Sequence, residues 1–159
     1  MKTKPLVLPA IDPDTVANVS ASAYPAEFAK RMGDRAKRRI GRACGLTHMG
    51  VNLVTLGPGG QSALRHWHTS EDEFIYVLEG ELTLITNAGE QLLGAGAAAG
   101  FPAGKRDAHH FINRSEKAAR YLEIGESNER DNAFYPDDDL MWVETEDGVI
   151  AAHKDGRKY

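Results

Sequence analysis

The 159-residue sequence has one cysteine, Cys44, so no disulfide can close within the chain and a reducing compartment suits it. Long apolar runs are missing as well. Met1 to Asp14 carries lysines but only the short apolar stretch Leu6 to Leu8 between prolines, which lacks the core of an export signal. The uncharged stretch from Gln91 to Gly104 is too short and too rich in glycine to span a bilayer. A cytoplasmic location is therefore expected, and the acceptor patterns Asn18-Val19-Ser20 and Asn113-Arg114-Ser115 have no meaning as glycosylation sites without export.

Positive charge is not in excess. A formal net charge of -4 and a pI near 5.9 give no general attraction to nucleic acid or to acidic membranes. One basic cluster, Arg35, Lys37, Arg38, Arg39 and Arg42, stands out locally. No aromatic residues interleave with it, which favours a solvated or interchain face over nucleic-acid binding. No helix-turn-helix pattern, internal repeat or strong helical period is present. The expected partner is a small molecule. A chain of this length folds as one domain that buries roughly 68–70% of its unfolded surface, so a metal is not needed merely to hold it together.

What the sequence does contain is a series of short alternating segments. Residues 1–45 are broken by Pro5, Pro9, Pro13 and Pro25 and read as an arm that wraps the domain or a neighbour. From 46 to 126, Val51, Leu53 and Thr55 alternate with Asn52, Val54 and Leu56 ahead of the turn Gly57-Pro58-Gly59-Gly60. Glu73–Leu78 and Glu81–Thr86 meet at Gly80, Asn87-Ala88-Gly89 turns the chain into Glu90–Leu93, and His109–Asn113 and Arg120–Ile124 supply later strands. Short strands at this spacing predict an all-β barrel. Residues 127–159 form a C-terminal extension, in which Trp142 is expected to pack on the barrel or on a second subunit. Its acidic stretch and the basic arm lead to the expectation that the termini pair across a homodimer.

Inside the barrel region, His66 and His68 are separated by one residue, so on a strand both imidazoles point to one side. Glu73 then opens the next apolar strand. Two imidazoles and a carboxylate bind a first-row divalent ion and leave positions open for substrate or oxygen. His109 is a fourth candidate downstream.

These residues resemble the cupin superfamily. Its first motif is Gly, five residues, His, one residue, His, four residues, Glu, six residues, Gly, and Gly60, His66, His68, Glu73 and Gly80 match every position. In the second motif Gly96, Pro102 and Gly104 match, but Asp107 stands where His is expected. Two extra loop residues put His109 in that place, four before Asn113, and this spacing favours His109 over His110. Ala97 follows Gly96 where many cupins carry Asp.

The resemblance implies a double-stranded β-helix, a jelly-roll-like barrel, with an irregular N-terminal arm. It also implies a divalent transition metal, Mn, Fe, Zn, Ni or Co, held by His66, His68, Glu73 and His109. Ile75, Val77 and Phe111 are candidate lining as well as core. Lys105 and Arg106 are either contacts for an anionic substrate or a solvated loop, and Trp67 and Tyr76 are expected to face away from the metal. The chain is similar to small single-domain bacterial cupins, some of which carry provisional labels as sugar-phosphate isomerases. Cupins include isomerases, dioxygenases, decarboxylases, lyases and sugar-binding regulatory domains, so ligands and fold do not select a reaction. Three readings stay open: a metal-dependent, isomerase-like enzyme acting on a sugar, sugar phosphate or hydroxy acid; an Fe(II) dioxygenase; and a non-catalytic, metal-dependent ligand-binding or regulatory module. The proton-transfer residue is not identified.

Overall fold

The computed structural model describes residues 6–19, 22–126, 131–146 and 148–159. Lys2 and Lys4 of the opening segment, Ser20 of the first acceptor pattern and the start of the C-terminal extension at 127–130 lie outside the described residues. No described helix is long and apolar enough to cross a membrane.

Period-two burial shapes the barrel. In one strand, Glu73–Glu79, Ile75 and Val77 are 3% and 0% exposed while Phe74, Tyr76 and Leu78 face out, as alternation requires. Numbered along the chain, the strands are β1 Arg35–Arg38, β2 Met49–Leu56, β3 Trp67–His68, β4 Glu73–Glu79, β5 Glu81–Thr86, β6 Gly89–Gly94, β7 Ala98–Phe101, β8 His110–Ile112, β9 Ala119–Glu126, β10 Ala133–Phe134, β11 Met141–Thr145 and β12 Gly148–Ala152. One antiparallel sheet runs β1-β2-β9-β4-β7 and a second runs β6-β5-β8. Between them lies an apolar core of Val54, Leu56, Ile75, Val77, Leu82, Leu84, Phe111, Ala119 and Tyr121. Isolated bridges from Gln61 to Ile112 and from His66 to His109 lay the segment that precedes β3 along β8. The segment carrying the first two histidines is thereby tied to the second sheet.

The arm is irregular for much of its length, yet it adds β1 to the edge of the larger sheet, with Arg35 opposite Leu56 and Lys37 opposite Val54. Val19 in turn bridges Lys37, donating its N–H to the Lys37 carbonyl at 2.7 Å. A second apolar cluster of Phe28, Met32, Leu64, Tyr135 and Leu140 joins arm, barrel and C-terminal extension. Arg31 and Asp138 form an ion pair within the same chain, so the basic arm and the acidic extension meet inside one molecule. Trp142 packs against this cluster, stacks on Tyr24 and donates its indole N–H to the Tyr135 hydroxyl at 3.0 Å.

Strand β7 has no clear signal in the sequence. Alanine and glycine have little strand preference, and the segment is held instead by its pairing with β4, Phe101 opposite Glu73 and Ala98 opposite Tyr76.

Two motif glycines have backbone roles. A Cβ on Gly60 would meet the Asp34 carbonyl oxygen at 2.4 Å, and Gly80 has φ 73° with the Ala118 carbonyl 2.9 Å from where a Cβ would sit. Asn113 is also structural. It is 0% exposed, donates to the carbonyls of Leu56 and Lys117, both at 2.8 Å, and accepts from the N–H and hydroxyl of Ser115. Asn113→Ala removes all four of these hydrogen bonds, the one to the buried Leu56 carbonyl among them, and is expected to cost about 2–4 kcal/mol. For a chain of this length that is a drop of about 5–12 °C in melting temperature, measured by calorimetry. A change of less than about 2 °C would show that the network carries no stability.

Candidate metal centre

His66 and His109 face each other across their bridge, His66 N–H donating to the His109 carbonyl at 3.1 Å and His109 N–H to that of His66 at 2.8 Å. Their rings are therefore held 5.1 Å apart. His68 lies on β3 opposite Ala133 of β10, and Glu73 opens β4 between Phe101 of β7 and Gly125 of β9. These frames aim three imidazoles at one carboxylate oxygen. Oε2 of Glu73 is 3.0 Å from His109 Nε2, 3.6 Å from His68 Nε2 and 3.8 Å from His66 Nε2.

The protonation pattern follows from the outer partners. His66 Nδ1 lies 2.7 Å from the Leu64 carbonyl, which only accepts, so Nδ1 carries the proton and Nε2 offers a lone pair. His68 Nδ1 does the same toward the carboxylate of Asp131, the outer-sphere arrangement that fixes a metal-binding imidazole. The His109 ring is held flat on Phe101, with centroids 3.5 Å apart. Burial lowers the His66 pKa to about 4, with Glu73 opposing and the other two histidines reinforcing the shift. Burial pushes the Glu73 carboxyl up, but the close His109 imidazole and then His66 and His68 outweigh it and bring it to about 2. At neutral pH the ionised Glu73 carboxylate thus faces a neutral His66 lone pair.

Without a cation this arrangement is unfavourable. Glu73 Oε2 is buried with no hydrogen-bond partner among the described residues, although three nitrogens surround it. A buried anionic oxygen left unpaired is costly, and a divalent ion among the four atoms satisfies it. His66, His68 and Glu73 offer ligand atoms all within 4.8 Å of one another. The donor set therefore fits a first-row divalent metal.

His110, the neighbour of His109, is turned the other way, its Nδ1 3.2 Å from the Ala63 carbonyl. Asp107, at the position where the second motif has His, accepts from the Asn87 N–H at 3.0 Å and braces the β5–β6 turn. Two residues were not marked by the sequence. Asp131 stands 63 positions from His68, and it also accepts from the N–H of Ser70 at 2.8 Å. Glu123 shares the inward face of β9 with Tyr121 and is held by Lys37 Nζ at 2.6 Å and Asn52 Nδ2 at 3.0 Å. Neither lies in a motif, because both reach the site through pairing between distant segments.

Of the cavities that Glu73 lines, two also contain candidate histidines and cationic side chains from elsewhere in the chain. One, of about 340 Å³, includes His68, His109, Phe101, Lys105 and Asp107. The other, of about 320 Å³, includes His66, Glu123, Arg35, Lys37 and Tyr135. Trp67 borders the first, stacked on Phe134 with the Arg106 guanidinium 5.6 Å above its ring. Tyr76 faces outward, whereas Ile75 and Phe111 border a small void beside Glu73 and Val77 lies in the core behind them.

The fold and the donor set define a jelly-roll-like barrel protein with a group able to hold a divalent ion. The chain belongs to the cupin superfamily: residues 52–125 match the family described as Cupin domain. It is similar over most of its length to the crystal structure of a sugar phosphate isomerase from a cupin superfamily of Silicibacter pomeroyi, with 38% identity, 94% of this chain and 96% of that chain covered, and a TM-score of 0.89. A provisionally named sugar phosphate isomerase from Acidithiobacillus ferrooxidans is 28% identical over 79% of this chain and 80% of its own, with a TM-score of 0.70. A polyketide cyclase from Streptomyces resistomycificus shares the fold at 20% identity, with 75% and 79% covered and a TM-score of 0.61. No curated protein matches the sequence.

Proposed function

We propose that the protein is a metal-dependent enzyme that moves a proton next to the carbonyl of a small polar metabolite, a sugar, sugar phosphate or hydroxy acid, in an isomerase-like reaction. His66, His68, Glu73 and His109 hold the ion. The observation that carries this reading is the buried Glu73 Oε2, ringed by three imidazole Nε2 atoms and without a hydrogen-bond partner among the described residues. When bound, a divalent ion supplies Lewis acidity toward a substrate carbonyl or hydroxyl.

The remaining work falls to the chain's own side chains. Glu123 is a carboxylate outside the ligand set that borders the same cavity as His66 and Glu73, and Lys37 and Asn52 hold it in place, so it is the group that takes and returns the proton. Ile75, Phe101 and Phe111 form an apolar wall beside Glu73 and keep water from the reacting carbon. The names of the two similar isomerase structures support the same class of chemistry.

The test is turnover of aldose and ketose phosphates by Mn-loaded protein without oxygen, read by NMR in deuterium oxide. Conversion with deuterium entering at the carbon next to the carbonyl is expected. Strict dependence on oxygen with oxygen uptake would replace this reading with a dioxygenase. Tight binding of a metabolite that is never converted would replace it with a binding module.

A further inference from the structure

We infer that the N-terminal arm supplies an anion-binding subsite, in which Arg35, Lys37 and Arg39 hold the phosphate or carboxylate of the substrate in the cavity that opens onto His66 and Glu73. This deepens the reading above and rests on it. Strand alternation separates the basic cluster into two sets. Arg38, between them, turns outward to Asp14, Asn18 and the Pro13 carbonyl, all in the arm. Arg35, Lys37 and Arg39 all border the cavity of about 320 Å³ that contains His66, Glu73 and Glu123. That volume lies within the range of small-molecule pockets.

The three cations are not equally committed. Arg35 donates to the Ser62 carbonyl and Lys37 to Glu123, but Arg39 is exposed and its guanidinium makes no hydrogen bond or ion pair among the described residues. A guanidinium without a partner at a cavity rim presents a planar fork suited to a phosphate or carboxylate. The charges along the walls point the same way. Three cations face the carboxylates of Glu73 and Glu123 here, and a divalent ion between Glu73 and the imidazoles leaves a positive excess. In the neighbouring cavity Lys105 stands against the carboxylates of Asp107 and Glu71, which gives an anion no comparable surplus. Tyr24 and Tyr135 also line the arm-side cavity, giving the body of a substrate an aromatic wall beside the cations. A basic cluster in a chain of net charge -4 thereby acquires a specific use.

The subsite is tested by calorimetric titration of Mn-loaded protein with inorganic phosphate and, separately, with acetate, using wild type, Arg39→Gln and Lys105→Gln. Mn content is measured by elemental analysis on the same samples. Wild type is expected to bind at least one of the two anions, and the tighter one tells a phosphate-bearing from a carboxylate-bearing substrate. Arg39→Gln is expected to weaken that binding about fivefold with Mn content unchanged, while Lys105→Gln binds as wild type does. The subsite is overturned if Arg39→Gln matches wild type, if Lys105→Gln is the variant that loses affinity, or if fully Mn-loaded wild type binds neither anion. In each of those cases the metal reading stands. Failure of wild type to take up Mn overturns both.

Discussion

Alanine in place of His66 or His68 is expected to weaken divalent metal binding by more than about 100-fold, while the metal-free protein keeps its strand content and cooperative melting. The size follows from position. Loss of an outer-sphere partner typically costs 10–100-fold in metal affinity, and a direct ligand contributes more. Each of these imidazoles presents an Nε2 lone pair within 4 Å of Glu73 Oε2, with its other nitrogen occupied by a fixed acceptor. The barrel survives because its core is built from Val54, Leu56, Val77, Leu82, Tyr121 and their neighbours, none of which is a candidate ligand. His109→Ala is expected to behave like His66→Ala. His110→Ala is expected to keep its metal, since that ring is directed at the Ala63 carbonyl. Elemental analysis with circular dichroism melting decides the matter. A metal-free His110→Ala beside a metal-loaded His109→Ala would reverse the assignment within the pair.

Glu123→Gln is expected to lower kcat by about 10²–10⁴, with metal content unchanged and KM moving by less than about threefold. Gln keeps the shape and one acceptor for Lys37 Nζ and Asn52 Nδ2 but cannot take a proton. The change therefore falls on the chemical step, and exchange of substrate hydrogen with solvent is expected to fall in parallel. Rescue by Glu123→Asp is expected to be partial, because the carboxylate is restored but withdrawn by one methylene. A kcat within threefold of wild type would assign the proton transfer to another group in the cavity, with the Tyr135 hydroxyl the nearest alternative in kind.

The parts of this molecule differ in how far they can be read from the chain alone. Alternation in Glu73–Leu78 marks that strand because one face of it is buried. Val51–Leu56 and Glu81–Thr86 instead bury neighbouring residues on both faces and are legible from their apolar, β-branched content and the turns that bound them. The triplet His66, His68 and Glu73 is visible because its members come from adjacent segments, where spacing alone decides which side chains share a face. His109 is harder. Asp107 occupies its expected place and only the spacing to Asn113 favours His109; the folded loop shows the Asp107 carboxylate spent on the Asn87 N–H and the His109 imidazole turned to Glu73. Asp131, Glu123 and the inward set of arm cations have no local pattern. Their positions depend on β10 meeting β3, β9 meeting β2 and β1 meeting β2, and such pairings are long-range. The basic cluster shows the difference most clearly, since composition separates neither Arg38 from Lys37 nor a surface charge from one that borders the site.

The most direct test of the central claim is a crystal structure of Mn-loaded wild type with anomalous data collected at the metal edge. The account predicts one dominant peak bonded to the Nε2 atoms of His66, His68 and His109 and to the Glu73 carboxylate. An ordered site with no peak there, or metal bound elsewhere on the molecule, would contradict it.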